Sequence, residues 1–268
     1  MSTKKKFNPA KKDLIIFDLD GTLTETKSDM QPDMVRALGA LLREKKVAVI
    51  GGASRAQFER QFIRLLRIPK SLLANLYLFP TTATSFYRYE HGRWRRVYVR
   101  ALLPKQKKRI RAAFRAVLEK IDYTSPKKIY GKLIEDKGSE LTYSFLGQDV
   151  VARLGEKGVR LKEAWTRENA KFKMRVTRLV QRALPDLEVR AAGFTSIDVT
   201  KKGIDKAYGI REIRKILKMP IKKMLFIGDA LYAGGNDHAA IRTGIDCIAV
   251  KGPMETKKII KQILDIGY

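Results

Sequence analysis

The sequence is poor in the residues that make covalent cross-links or soft metal sites. Its 268 residues include one cysteine, Cys247, and two histidines. A single cysteine excludes an internal disulfide and a thiolate metal site. Set in the apolar run Cys247-Ile-Ala-Val250, it reads as a core residue. No run approaches the roughly 18–20 apolar residues of a membrane span, so no membrane partner is expected. The opening Met1-Ser-Thr-Lys-Lys-Lys lacks the apolar stretch of a signal peptide, and a cytoplasmic location is expected. This Lys-rich start, up to about residue 12, is expected to be a flexible tail. Acidic residues are scarce, 28 against 56 Lys and Arg, a net charge of +28. Such an excess serves an anionic partner (a phosphorylated metabolite, a nucleic acid, an acidic surface) or is a solubilising bias. The basic residues are spread along most of the chain. Apolar residues make up 44%, which supports a packed core and excludes wholesale disorder.

What is present is an alternation of apolar strands and amphipathic helices. Leu14 to Asp18 reads as a strand. Pro32 opens a helix with Met34, Val35, Leu38, Leu41 and Leu42 on one face. Val47 to Ile50 is a second strand ending in Gly51-Gly52-Ala53-Ser54. A helix carrying Phe58, Phe62, Leu65 and Leu66 follows, then a strand at Leu76 to Phe79. This order predicts a parallel sheet with helices on its faces. Near residue 85 the period changes. A hairpin is predicted at His91-Gly92, then a basic helix from Pro104, an alternating strand at Leu141 to Phe145, a second basic helix through Phe172, Val176 and Val180, and two further strands. The mixture predicts an inserted α+β domain. The α/β pattern resumes at Gly203, with a helix from Asp205, a buried strand Met224 to Gly228, another at Ile245 to Val250, and a closing helix. The expected boundaries are a discontinuous catalytic core, residues 1–85 and 199–268, and an inserted domain, 86–198.

The chemistry concentrates at two strand ends. Leu14-Ile-Ile-Phe-Asp18-Leu-Asp20-Gly21-Thr22 places two carboxylates at i and i+2, on one side of the chain, where open α/β sheets bind ligands. Taken alone, this pattern also fits a strand running into an Asx-type turn. Gly228-Asp229 ends a second apolar strand in the same way, and Gly234-Gly235-Asn236-Asp237 follows as a loop. Asp18, Asp20 and Asp229 brought together would repel unless a cation neutralised them. Hard oxygen ligands favour Mg²⁺ over zinc. Mg²⁺ beside a lysine, here Lys206, is what a transferring phosphoryl group requires.

These segments resemble the haloacid dehalogenase superfamily: Asp18-Leu-Asp20-Gly-Thr22, the lysine in Gly203-Ile-Asp-Lys206, and Gly228-Asp229 with Asp237. The insertion point resembles its IIB subfamily. Phe226-Ile-Gly-Asp-Ala-Leu-Tyr-Ala-Gly-Gly-Asn-Asp-His238, Val47-Ala-Val-Ile-Gly-Gly52, Ile134-Glu135 and Ser196-Ile-Asp198-Val-Thr-Lys-Lys-Gly-Ile-Asp-Lys206 are similar to the eukaryotic-type phosphomannomutases. The resemblance implies a Rossmann-like α/β core with a type C2B α+β cap. It implies Asp18 as the nucleophile that becomes an aspartyl phosphate, Asp20 as general acid/base, and Lys206 as the cation at the phosphoryl oxygens. Asp18, Asp20 and Asp229 would hold Mg²⁺, with Asn236 and Asp237 in support.

The departures matter as much. The family places a Ser or Thr phosphate donor directly after the second strand. Here that segment is Gly51-Gly52-Ala53, and the nearest hydroxyl, Ser54, either serves after a shift or caps the helix. Glycine amides at Gly51 and Gly52 remain available to a phosphate. Family cap arginines that hold a sugar's distal phosphate fall on Lys137 and Gln148, and one falls near Tyr130; Lys132 and Arg153 are the substitutes nearby. Lysine is a point charge rather than a bidentate fork. Ser196 and Asp198 match substrate-contacting positions, or are polar residues on an exposed strand face. Three readings compete: a Mg²⁺-dependent phosphatase of a small phosphorylated metabolite such as a sugar phosphate, a phosphomannomutase, and a nucleic-acid-binding protein using basic helices such as Lys105 to Arg111. Weak, non-specific nucleic-acid binding is expected from the charge. The oligomeric state is left open.

Overall fold

The computed structural model describes residues 8–26 and 28–265. In chain order the first stretch gives β1 (Leu14–Phe17), α1 (Pro32–Glu44), β2 (Lys46–Ile50), α2 (Arg55–Gln61), β3 (Leu76–Phe79), β4 (Ser85–Glu90) and β5 (Arg93–Val99). The middle gives α3 (Pro104–Lys120), β6 (Ile134–Asp136), β7 (Glu140–Ser144), α4 (Glu156–Ala183), β8 (Leu187–Ala192) and β9 (Ser196–Lys201). The last stretch gives α5 (Lys206–Leu217), β10 (Met224–Gly228), β11 (Asp246–Ala249) and α6 (Pro253–Asp265).

These elements form two compact units, one running up to Val99 and again from Asp205, the other Arg100–Ile204. The first unit holds a seven-stranded sheet in the order β11-β10-β1-β2-β3-β4-β5. Neighbours from β11 to β3 are parallel, and β4 and β5 are antiparallel. Strands buried on both faces need apolar side chains at every position. Leu-Ile-Ile-Phe in β1 meets that demand, and all four residues are buried. Alternate residues feed two clusters. Ile15, Phe17, Val47, Val49, Leu225 and Ile227 pack with Leu38, Leu41 and Leu42 of α1 and Ile260 and Ile263 of α6. Leu14, Ile16, Ala48, Ile50 and Phe226 pack with Ile210 and Ile213 of α5. Burying each such side chain contributes about 1.5–3 kcal/mol.

The second unit holds a four-stranded antiparallel sheet, β6-β7-β9-β8. Leu141, Tyr143, Ile197, Val199, Leu187 and Val189 pack with Ile110, Phe114 and Val117 of α3 and Val176 and Val180 of α4. The alternate residues of β7 and β9 are polar: Glu140, Thr142 and Ser144, with Asp198 and Thr200, all buried. This α/β sheet unit with an α+β insert is the architecture expected.

Several expectations need correction. The hairpin 85–99 extends the sheet of the first unit, because Tyr77 and Leu78 of β3 pair with Arg88 and Tyr87 of β4. Tyr87, Tyr89 and Trp94 then pack against the α1 cluster. The first unit therefore ends after Val99 rather than at 85. Strand β9 stays whole in the second unit, so the return falls at Asp205 rather than 199. Residues 8–12 are ordered: Pro9–Lys11 form a 3₁₀ turn, and buried Lys12 pairs with Asp246. The rest of the expected tail, residues 1–7, lies outside the described residues. Cys247 is half-buried rather than core, since β11 is the edge of its sheet. Burial pushes its thiol up to about 12.

Candidate active site

Strand β1 hands over to the site through a tight turn. The Asp18 amide donates to Ile227 O at 3.0 Å, extending the β1–β10 ladder by one residue. Leu19 O then accepts from the amides of Leu23 at 2.9 Å and Thr24 at 3.0 Å. Gly21 has φ +82°, and a β-carbon there would lie 2.6 Å from Asp229 Oδ2. Only glycine lets the β1 turn approach the end of β10 this closely. The same argument holds at Gly228, where a β-carbon would lie 2.3 Å from Asp237 Oδ2.

Lys206 is the first residue of α5, whose N-cap Asp205 accepts from the Tyr208 amide at 2.8 Å. The lysine is fully buried. Its Nζ donates to Asp18 Oδ1 at 2.6 Å and to Asp237 Oδ1. Asp237 Oδ2 accepts from the Ala230 amide at 2.9 Å. One oxygen each from Asp18, Asp229 and Asp237 lies within 4.8 Å of the others. Asp20 is half-buried two residues beyond Asp18 and is not in that group. The acidic cluster is thus completed by Asp237 rather than by Asp20.

Burial first, then the neighbouring Asp237 and Asp229 charges, hold the Asp18 carboxyl well above the usual carboxylate range, against the pull of Lys206. Burial and Asp237 likewise raise Asp229. Burial disfavours the Lys206 ammonium, but its attraction to Asp18 and Asp237 outweighs this and raises its pKa. The donor set fits a hard divalent cation: three carboxylates, one lysine, no thiolate. Asp237 has one oxygen on Lys206 and the other on a backbone amide, which leaves Asp18 and Asp229 as the members of the cluster that could hold a divalent cation.

The remaining sequence-predicted residues separate into those at this end of the sheet and those engaged elsewhere. Gly51 and Gly52 follow β2, and the Gly51 amide donates to Phe79 O at 3.2 Å. Ser54 is a helix cap. Its Oγ accepts from the Gln57 amide at 3.3 Å, and Gln57 Oε1 accepts from the Ser54 amide at 2.8 Å. This reciprocal pair uses the hydroxyl as a cap acceptor. Asn236 is exposed beside Asp237. In the second unit Lys137 Nζ donates to Glu140 Oε1 at 2.8 Å, with the lysine side chain 8% and the glutamate 0% exposed. Gln148 Nε2 donates to Leu133 O at 3.2 Å and Thr142 O at 2.9 Å. These bonds from its amide nitrogen tie the loop to β7. Asp198 is buried and accepts from Thr142 Oγ1 at 2.6 Å, so the exposed-face alternative fails for it. Ser196 is half-exposed at the start of β9. Lys132 is exposed, and Arg153 pairs with Asp149.

Two features escaped the sequence. One is the buried charge network in the second unit, where Glu140 stands in an alternating strand that reads as polar-out. The other is the segment Pro80–Ala83, in which Thr81, Thr82 and Ala83 all have positive φ, at 50°, 54° and 67°. Left-handed backbone costs roughly 1–2 kcal/mol per non-glycine residue, and threonine gives no warning of it.

A parallel sheet with carboxylates ending two adjacent strands, a lysine opening the helix that leads into the second of them and an α+β insert define the haloacid dehalogenase class of phosphoryl-transfer enzymes. The profile of the family described as eukaryotic phosphomannomutase matches residues 34–266. The chain belongs to the eukaryotic phosphomannomutase family. It is 26% identical to a phosphomannomutase of Encephalitozoon cuniculi and 22% identical to one of Saccharomyces cerevisiae, each over 257 residues and 94% of both chains. Among solved structures it superposes on the IMP-nucleotidase of Plasmodium falciparum with a TM-score of 0.70, at 17% identity, covering 96% of this chain and 71% of that one. The trehalose-6-phosphate phosphatase of Aspergillus fumigatus gives a TM-score of 0.54 at 15% identity, over 95% and 93% of the two chains. These structures share the fold.

Proposed function

We propose that this chain is a Mg²⁺-dependent phosphatase acting on a small phosphorylated metabolite, a sugar phosphate first among them. The observation that carries the reading is the engagement of Gln148 and Lys137 within the second unit. The first is tied to two carbonyls and the second to Glu140. A mutase must hold a second, distal phosphate while its intermediate turns over, and these positions offer no bidentate cation for it.

In the proposed reaction an Asp18 carboxylate oxygen attacks phosphorus. The bond from phosphorus to the sugar oxygen breaks, and the leaving oxygen takes a proton from the Asp20 carboxyl. Water then attacks the aspartyl phosphate, Asp20 takes its proton, and the bond to Asp18 breaks to release inorganic phosphate. Lys206 holds Asp18 in place and offsets charge at the phosphoryl oxygens. When bound, Mg²⁺ on Asp18 and Asp229 supplies further charge neutralisation there.

The family match supports a second reading, phosphomannomutase. A panel of sugar phosphates decides between them, with released phosphate and mannose-6-phosphate formation from mannose-1-phosphate followed separately. Phosphate release exceeding interconversion is expected. Robust interconversion with little free phosphate overturns the phosphatase reading.

A further inference from the structure

Basic residues run through most of the chain, but one helix arranges them in a row. Helix α4, 28 residues long, buries Lys162, Lys173, Val176 and Val180 on one side, where the two valines join the apolar cluster of the second unit. On the opposite side stand Lys157, Arg160, Arg167, Lys171, Arg175, Arg178 and Arg182, all exposed. At about 100° and 1.5 Å per residue they fall within about 80° of arc, in one row about 38 Å long. Arg160 lies 3.7 Å from Glu156. The other six make no ion pair among the described residues, and no acidic residue falls between Lys171 and Ala183. Like charges three and four residues apart destabilise a helix, and Arg167, Lys171, Arg175, Arg178 and Arg182 keep that spacing throughout. Helix α3 carries as many cations without such a row. Its cations spread around more than half of the helix, and Lys107, Arg109 and Arg111 pair with Asp136 or Asp186.

The row selects its partner by what it holds and what it omits. A membrane surface is met by large apolar side chains among the cations; here Leu161 and Met174, 37% and 44% exposed, flank the row at its margins. A single strand is met by aromatic side chains on which its bases stack. The aromatics of α4, Trp165 and Phe172, instead turn inward, onto Phe145 and Tyr123. A straight row of cations about 38 Å long matches one turn of a B-form duplex, about 34–36 Å. The B-form major groove also admits a helix, whereas that of A-form RNA is closed to side chains. We propose that the outer face of α4 is a docking surface for double-stranded DNA, met through its phosphate backbone. The inference does not rest on the phosphatase reading, since none of these residues belongs to the Asp18 cluster.

The test is fluorescence anisotropy of a labelled DNA duplex of about 20 base pairs with the full chain, from about 50 to 200 mM salt. The parent is expected to bind at about 1 μM at the low end and to lose about 10³-fold across the series, as about six phosphate contacts require. Lys171→Gln, Arg175→Gln and Arg178→Gln combined should weaken binding at least about 30-fold and flatten the logarithmic salt slope by about 3. Glutamine is a good helix former, so α4 should persist, which circular dichroism checks. Arg175→Lys and Arg178→Lys combined keep the charge and should stay within about threefold of the parent. The control is Arg36→Gln, Lys258→Gln and Lys261→Gln combined, which removes the same charge from exposed positions of α1 and α6. It should change affinity less than about threefold, since charges beyond a Debye length are screened. Equal weakening in the two triple variants overturns the proposal, because the attraction would then be diffuse. So does a parent that leaves the duplex unbound at the lowest salt. Tighter binding to duplex RNA, to single-stranded DNA or to vesicles of anionic phospholipid than to the DNA duplex also overturns it.

Discussion

In the first unit Lys206 stands between Asp18 and Asp237, with Asp229 alongside. In the second, Lys137 holds Glu140, and Asp198 and Glu135 also act on Lys137, while Arg190 acts on Glu140 and Lys173 feels Asp198. Both clusters bury a lysine against carboxylates. They differ in balance. Among the described residues, Lys137, Arg190 and Lys173 face Glu140, Asp198 and Glu135. Around Asp18, among the described residues, Lys206 faces Asp18, Asp229 and Asp237, which leaves an excess that a divalent cation would cancel. A balanced cluster is complete as it stands and serves the fold. An unbalanced one has charge left for a cation to meet, which is why the chemistry is proposed for the Asp18 cluster.

The strongest way to break this contrast is to neutralise the excess. Asp18→Asn should lower phosphoryl-transfer turnover at least about 10³-fold, since it removes the proposed nucleophile, while circular dichroism and melting stay near parental. Near-parental turnover with Mg²⁺ present would refute the covalent route.

The two lysines sharpen it further. Lys206→Met strands two buried carboxylates and should cost about 3–5 kcal/mol in urea unfolding. Lys137→Met removes the partner of Glu140, whose carboxyl already sits raised to about 7 by burial and by Asp198, against Lys137 and Arg190. It can take up a proton in place of the lysine charge, so a smaller loss of about 1–2 kcal/mol is expected. Equal losses would mean the clusters are equivalent.

Glu140 also gives the second unit a pH signature. Its folded value is raised from 4.5 to about 7. Between those values the folded chain keeps a proton that the unfolded chain has lost. Its contribution is therefore fully present below about pH 4.5 and is lost as pH rises through 7, by about 3 kcal/mol. Lys137, Arg190, Asp198 and Thr142 surround the group. Unfolding of the parent and Glu140→Gln at pH 5, 6, 7 and 8 should show the parent's advantage shrinking across this range. Parallel stability curves would place the titration elsewhere.

Much of the first unit was legible because its signals are local. Four consecutive apolar residues running into Asp18 read as a buried strand, and Gly228-Asp229 repeats the pattern. Asp205 and Pro32 announce their helices within one turn. The hairpin was legible as a hairpin, yet its sheet was not, because nothing in residues 85–99 encodes which edge it joins. The Lys206–Asp237 contact spans 31 residues and depends on where the loop 229–237 closes. The left-handed turn at Thr81–Ala83 runs against the preference of its residues, so propensity points away from it. Gln148 was placed by resemblance to face a ligand. The structure gives its amide to two carbonyls, a contact set by the loop's path rather than by residue type.

The smallest effect tests the balance argument from the opposite direction. If the Asp18 cluster carries uncompensated negative charge, removing one charge should stabilise the protein when no cation is bound. Asp229 is the member to change. Its carboxyl is raised by burial and by Asp237, and it makes a 3.5 Å contact with Thr22 Oγ1. Asp229→Asn preserves the shape and removes the repulsion. In excess chelator it should unfold with about 0.5–1 kcal/mol more stability than the parent. With Mg²⁺ added the order should reverse, because a cation that binds the folded state stabilises it in proportion to its affinity, and the variant has lost a ligand. A melting series against Mg²⁺ concentration should therefore show the two proteins crossing. Curves that never cross, with the parent above the variant even in chelator, would mean that Asp229 is held by ordinary hydrogen bonding and that the cluster is not waiting for a cation.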